Sequence, residues 1–167
     1  MAIFLRKIDA RSLWQNPLPG EGWLGDRDLR ADALRDLRTD ENKLSIFEVN
    51  EEDGIPVKRI VAAIAAKRDF LAKVDFILFE SDLLGNLDIS SEKVAGDTLD
   101  PAVNASHIDL VCLTAAKLAE FGGRIRVDGK IERRAEKQVI ALIKESLAQG
   151  FIDPGHLKPD VAKHVVV

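Results

Sequence analysis

The chain has 167 residues, 46% of them hydrophobic and 31% charged, with 24 Lys and Arg against 28 Asp and Glu for a formal charge of −4. That length suits one ordinary domain with a real core, and the acidic balance supplies no overall basic field to gather nucleic acid or anionic lipid. One cysteine, Cys112, excludes an intrachain disulfide and Cys-rich zinc or iron–sulfur sites, and the absence of tyrosine excludes every mechanism that uses a phenol. No apolar stretch reaches the ~18 residues of a membrane span, so a soluble chain in a reducing cytoplasm is expected.

Ala2 to Ile8 is short and apolar and reads as a strand. Residues 12–25 hold Pro17, Pro19, Gly20, Gly22 and Gly25 together with Trp14 and Trp23, which predicts a loop carrying two indoles. Gly20, Gly22 and Gly25 spell G-x-G-x-x-G, but Pro17 and Pro19 deny it the preceding buried strand that a dinucleotide site needs, so a plain turn is expected. Asp26 or Asp28 can cap a helix running to about Arg38 with Leu29, Ala33, Leu34 and Leu37 on one side.

The block from Lys43 to Glu80 reads as strand, helix, strand. Lys43 to Val49 is β-branched and aromatic. Pro56 opens an amphipathic helix whose apolar positions Val57, Ile60, Val61, Ile64 and Leu71 recur at helical spacing. Val74 to Phe79 is almost wholly apolar, as in a strand covered on both faces. If the two strands are parallel neighbours, their carboxyl ends share a rim, the usual place for ligands in open α/β sheets.

Residues 81–100 show no clear pattern beyond one helical turn. Ser106 and Asp109 resemble a capping box before an apolar run from Ile108 to Phe121, with Gly122 and Gly123 marking its end, so a helix is expected there. Cys112 would then be a buried thiol. Ser106, His107 and Asp109 are adjacent on that helix and cannot converge as a catalytic triad. Asp128 and Gly129 between Arg124 to Val127 and Lys130 to Arg133 predict a β-hairpin with a tight two-residue turn. A last amphipathic helix spans 134–149 and stops at Gly150, leaving the tail 154–167 to dock or fray; His156 and His164 lie in it, with Pro159 between them.

These elements predict a single α/β domain over 1–167, mixed α+β being the variant: a small sheet containing a βαβ unit, followed by helix, hairpin and helix. Its function is expected to be that of a soluble intracellular protein-interaction or regulatory protein without its own catalytic centre, using Trp14 and Trp23 as anchors for another protein, the commoner alternative for such indoles being to staple their loop to the core. One alternative is a Mg²⁺-dependent enzyme acting on a phosphate-containing substrate, with Glu51, Asp53, Glu80 and Asp82 as ligands. Against it, acids are common in solvated turns. The other alternative is nucleic-acid binding by the hairpin through Arg124, Arg126, Lys130, Arg133 and Arg134, which the acidic total opposes.

Overall fold

A computed structural model describes residues 2–15, 22–25, 28–52 and 55–166. In chain order the elements are β1 (Ile3–Ile8), α1 (Arg11–Trp14), a 3-10 helix (Ala31–Leu37), β2 (Leu44–Val49), α2 (Val57–Ala66), β3 (Val74–Glu80) and α3 (Asp82–Asn86). There follow β4 (Ser90–Lys93), α4 (Pro101–Ala105), β5 (His107–Val111), α5 (Ala115–Asp128), β6 (Lys130–Arg134), α6 (Glu136–Ala148), a second 3-10 turn (Pro154–His156) and α7 (Pro159–Val165). The fold is mixed α/β, as the alternation of strand and helix patterns predicts.

All six strands form one antiparallel sheet in the order β4-β5-β2-β1-β3-β6. Strands β2 and β3 point the same way, because each runs antiparallel to β1, but they are not neighbours. Ile3 sits between Val49 and Glu80, and Leu5 between Phe47 and Leu78. The βαβ unit is therefore split by the N-terminal strand, and the expected direct pairing is corrected to a separation of two strand spacings, roughly 10 Å. The sequence block contains no trace of this, since the intruding strand comes from forty residues upstream.

Alternation along β1 and β3 divides the core in two. Leu5, Val74 and Phe76 face α2, α6 and α7, while Phe4, Ile8, Ile77 and Phe79 face α1, the first 3-10 helix, α3 and α5. Covering both faces explains why β3 lacks polar alternation. Its one buried charge, Asp75, is 2% exposed. It accepts from Arg133 Nε at 2.7 Å and Nη2 at 2.9 Å on the neighbouring β6 and from the amide of Arg11 at the start of α1 at 3.0 Å.

Several local expectations give way to tertiary context. Helix α2 ends at Ala66 rather than Leu71, because the positions after Ile64 that would extend its apolar stripe are Lys67 and Arg68. Residues 31–37 adopt the tighter 3-10 form rather than an α-helix capped by Asp28, and Asp28 accepts instead from the amide of Gly25. Three residues per turn put Arg30, Ala33 and Asp36 on one buried stripe. Asp26 lies outside the described residues.

The expected helix from Ile108 to Phe121 is replaced by two elements. Ile108 and Leu110 alternate with His107 and Asp109 in a strand, and a second helix start appears at Thr114, whose side chain accepts from Lys117 N at 3.2 Å. Between them Cys112 has φ of 55° and is exposed, which corrects its expected burial. Ser106 caps nothing ahead of it; its hydroxyl donates to Val103 O. The capping residue nearby is Asp100, which accepts from Ala102 and Val103 amides and holds Arg59 through two bonds of 2.6 and 3.0 Å. Gly122 and Gly123 do not stop the helix but lie buried within it, where Gly122 lets Leu29 and Leu37 come close.

The expected hairpin at Asp128 and Gly129 does not exist. Residues 124–128 are the end of α5, and β6 pairs with β3 instead. The tight turn with two positive φ values occurs at Glu41 and Asn42, where Asp40 and Lys43 exchange backbone hydrogen bonds. Gly129 has φ of −83°, so its role is closeness rather than backbone freedom. Strand β4, read as loop, has four exposed residues, Ser90 to Lys93, and no apolar pattern to betray it. The tail docks: Val161 and Val165 of α7 are buried in the same core as α2 and α6.

Two outcomes follow. A Cβ on Gly129 would lie 2.3 Å from Ile125 O and 3.1 Å from Leu78 O, backbone atoms that cannot move aside. Gly129→Ala is expected to lower stability by about 1–3 kcal/mol in urea titration, whereas Gly85→Ala, with open space around it, changes stability by less than about 1 kcal/mol. Burial alone would raise the Asp75 carboxyl, but bonds from Arg133 and Arg11 and the nearby charges of Arg133 and Lys73 outweigh it and hold the carboxyl below the usual range. A depressed carboxylate contributes stability above its unfolded value, about 3.9, and loses it as pH falls through the lower folded value. Urea midpoints for Asp75→Asn should therefore fall below wild type at pH 7 and converge with it as the pH is taken below that window.

Candidate functional site

The two tryptophans have opposite fates. Trp14, at the end of α1, is 0% exposed, and its Nε1 donates to Asp36 Oδ2 at 2.7 Å. Around it, Arg30 Nη1 donates to Ser12 O at 2.7 Å, and Arg6 donates through Nε and Nη2 to Asp36 O. Burial brings the Arg6 guanidinium down to about 10, with Asp36 and Asp9 opposing the fall. Trp14 is thus corrected from partner anchor to core staple: it ties α1 to the 3-10 helix through a buried indole–carboxylate bond.

Trp23 is 72% exposed, the largest exposure of any large apolar residue described. Its turn is nonetheless held at both sides of Gly25. The Gly25 amide donates to Asp28 Oδ2 at 2.8 Å, and Arg126 Nη2, from the last turn of α5, donates to Gly25 O at 3.3 Å. Leu24, between them, is buried. One residue points into the core and its neighbour presents an indole to solvent, so the ring stands on a fixed base. Residues 16–21, including Pro17, Pro19 and Gly20 of the expected loop, lie outside the described set.

The acidic rim does not assemble. Glu51 Oε1 accepts from the amide of Val57 at 3.1 Å, serving the start of α2, where the helix dipole favours an anion. Glu80 ends β3 on the far side of β1, and Asp82 is in the first turn of α3. An open groove of about 520 Å³ runs past Ile3, Glu48 and Glu51, but neither Glu80 nor Asp82 lines it. Asp53 lies outside the described residues. Among the described residues no three His, Cys, Asp or Glu side chains group closely enough to hold a metal ion, so the Mg²⁺ ligand set of Glu51, Glu80 and Asp82 is not formed.

The basic segment is likewise dispersed. Arg124 faces Asp128 at 3.9 Å and Arg126 meets Gly25, both at the end of α5. On β6, Lys130 and Arg134 share Glu132 at 2.5 and 2.8 Å, and Arg133 is bound to Asp75. Residues 124–128 being helical and β6 paired with β3, the hairpin expected to carry nucleic acid is not formed. The histidines also stay apart. His107 Nδ1 lies 3.1 Å from Val94 O with its ring edge-on to Phe47, and His156 and His164 belong to separate elements.

Two further concave features escaped the sequence. A cleft of about 220 Å³ between α2 and α6 is lined by Lys58, Arg59, Glu145 and Phe151. Its cations are already engaged: Lys58 meets Glu145 at 2.6 Å, and Arg59 holds Asp100 while lying over the Phe151 ring at 3.5 Å. The loop between α2 and β3 exposes Phe70, an aromatic flanked by Arg68 and Lys73 beside a groove of about 460 Å³. The legible signal was an aromatic placed just where the helical apolar stripe yields to Lys67 and Arg68.

Comparison with known protein families, curated proteins and solved structures returns no match for this chain. No helix among the described residues is long and apolar enough to cross a membrane.

Their geometry separates the indoles by stability. Trp14→Phe leaves a fully buried carboxylate oxygen without its donor and should cost about 1–3 kcal/mol in urea titration, whereas Trp23→Ala should stay within about 0.5 kcal/mol of wild type.

Proposed function

We propose that this protein acts by binding another protein, with Trp23 as the central anchor. The observation that carries this reading is a 72% exposed indole two residues from Gly25, whose amide and carbonyl are both hydrogen-bonded. Trp and Arg dominate binding energy where a rigid, large side chain enters a pocket on the partner, because little conformational freedom is lost on docking. A mobile loop would forfeit that advantage; the Gly25 bonds to Asp28 and Arg126 preserve it. The exposed single thiol of Cys112 fits a reducing compartment such as the cytoplasm.

The test compares wild type with Trp23→Ala and with a distant surface control, Lys137→Ala, as baits for chemical crosslinking in extract of the source cell. A partner crosslinked to wild type and to the control but lost with Trp23→Ala is the expected result, with equal melting temperatures for all three. Retention of every crosslinked partner by folded Trp23→Ala would contradict the proposal.

A further inference from the structure

The sheet end where β1 finishes and β2 and β3 begin carries a concentration of cations that the overall charge of −4 conceals. A groove there is walled by Lys7, Asp9, Arg68, Asp69, Phe70 and Lys73. Arg68 Nη1 donates to Lys73 O at 3.0 Å and closes the loop on itself. That bond holds the Arg68 guanidinium against the Lys73 backbone, in the same groove wall as the 66% exposed Phe70 ring. Lys7 pairs with Asp9 at 2.5 Å.

Charges from other elements add to the same sign. Arg35, 60% exposed on the first 3-10 helix, lies within Coulombic reach of Asp9, and Arg133 of β6 reaches Asp75 behind the loop. Asp36 and Asp75 are buried beneath the surface, while Asp97, 93% exposed, pairs with Lys67 in the adjoining groove that Lys7 also lines. Towards solvent, then, Lys7, Arg35, Arg68, Lys73 and Arg133 outnumber Asp9, Asp69 and Asp97.

We propose that this groove binds a single-stranded nucleic-acid segment, with phosphates along Lys7, Arg68 and Lys73 and one base stacked on Phe70. The pairing of features selects this ligand. A cationic track alone would take any anion, but a ring held among cations matches a polymer that repeats a phosphate and a flat π-face. Base stacking needs no sequence readout, so the site is indifferent to base identity. Because the rest of the chain is acidic, binding is confined to low and moderate salt. None of the residues lining the groove takes part in the Gly25 bonds that seat the Trp23 turn, so its occupancy is independent of the proposed protein partner.

Fluorescence anisotropy of a labelled ten-nucleotide oligo-dT with the full chain tests the proposal, circular dichroism verifying that each variant is folded. Phe70→Ala should weaken binding about 10-fold, within the range of one lost stacking contact, and Lys73→Ala should flatten the slope of log affinity against log salt by about 0.7. Both residues are exposed, so neither change removes a core contact. An absence of binding at 50 mM salt would overturn the inference. So would unchanged affinity in Phe70→Ala, equal binding of inorganic polyphosphate, or preferential binding of phosphatidylserine vesicles.

Discussion

Strand β1 is the constraint on which the structure depends. Its six residues pair on both sides, with β2 through Ile3 to Leu5 and with β3 through all of Ile3 to Ile8. Inserting it between the two strands of the βαβ unit makes the whole sheet antiparallel and places β5 and β4 beyond β2 and β6 beyond β3. It also delivers Leu5 to one core and Phe4 and Ile8 to the other, so a single strand links the two hydrophobic layers. Buried on both faces, it owes its place to apolar area as much as to hydrogen bonds.

The same insertion governs what the surface can do. By standing between Val49 and Glu80 it keeps the two acidic turns apart and releases each to local duty, Glu51 at the start of α2 and Asp82 in α3. At its other end, Lys7 and Asp9 emerge beside the loop that carries Arg68, Phe70 and Lys73. Buried charges elsewhere are joints rather than sites. Asp75 joins β3, β6 and α1; Asp36 joins the 3-10 helix to α1; Asp100 joins α4 to α2 through Arg59. Each is sunk among neighbours that bond it, both oxygens of Asp75 and Asp100 and Oδ2 of Asp36, which makes it expensive to remove.

How much of this could be read in advance depended on whether the signal was local. Strands β1, β2 and β3 and helices α2 and α6 were legible because Ile, Val, Leu and Phe recur there at the period of the element they form. The stop at Gly150, with φ of +70°, was legible for the same reason. The run from Ile108 to Phe121 was misread because it is apolar at both periods; only Thr114 marks the break between strand and helix, and it competes with the stronger-looking Ser106. Asp128–Gly129 has the residues of a tight turn without its dihedrals, and Glu41–Asn42 has the dihedrals with only Asn42 to suggest them. Strand β4 owes its existence to pairing with β5 alone. The indoles could be located but not sorted, because Trp14 is chosen for the core by Asp36, twenty-two positions away.

The position of β1 is tested most directly by NMR contacts between backbone protons of paired strands. The structure predicts cross-strand contacts from Leu5 to both Phe47 and Leu78, and none between Phe47 and Leu78 backbones. Direct backbone contacts between β2 and β3, with β1 displaced to an edge, would contradict the account: the two acidic turns would then meet on one rim, and the division of the core and the separation of its two surfaces would have to be redrawn.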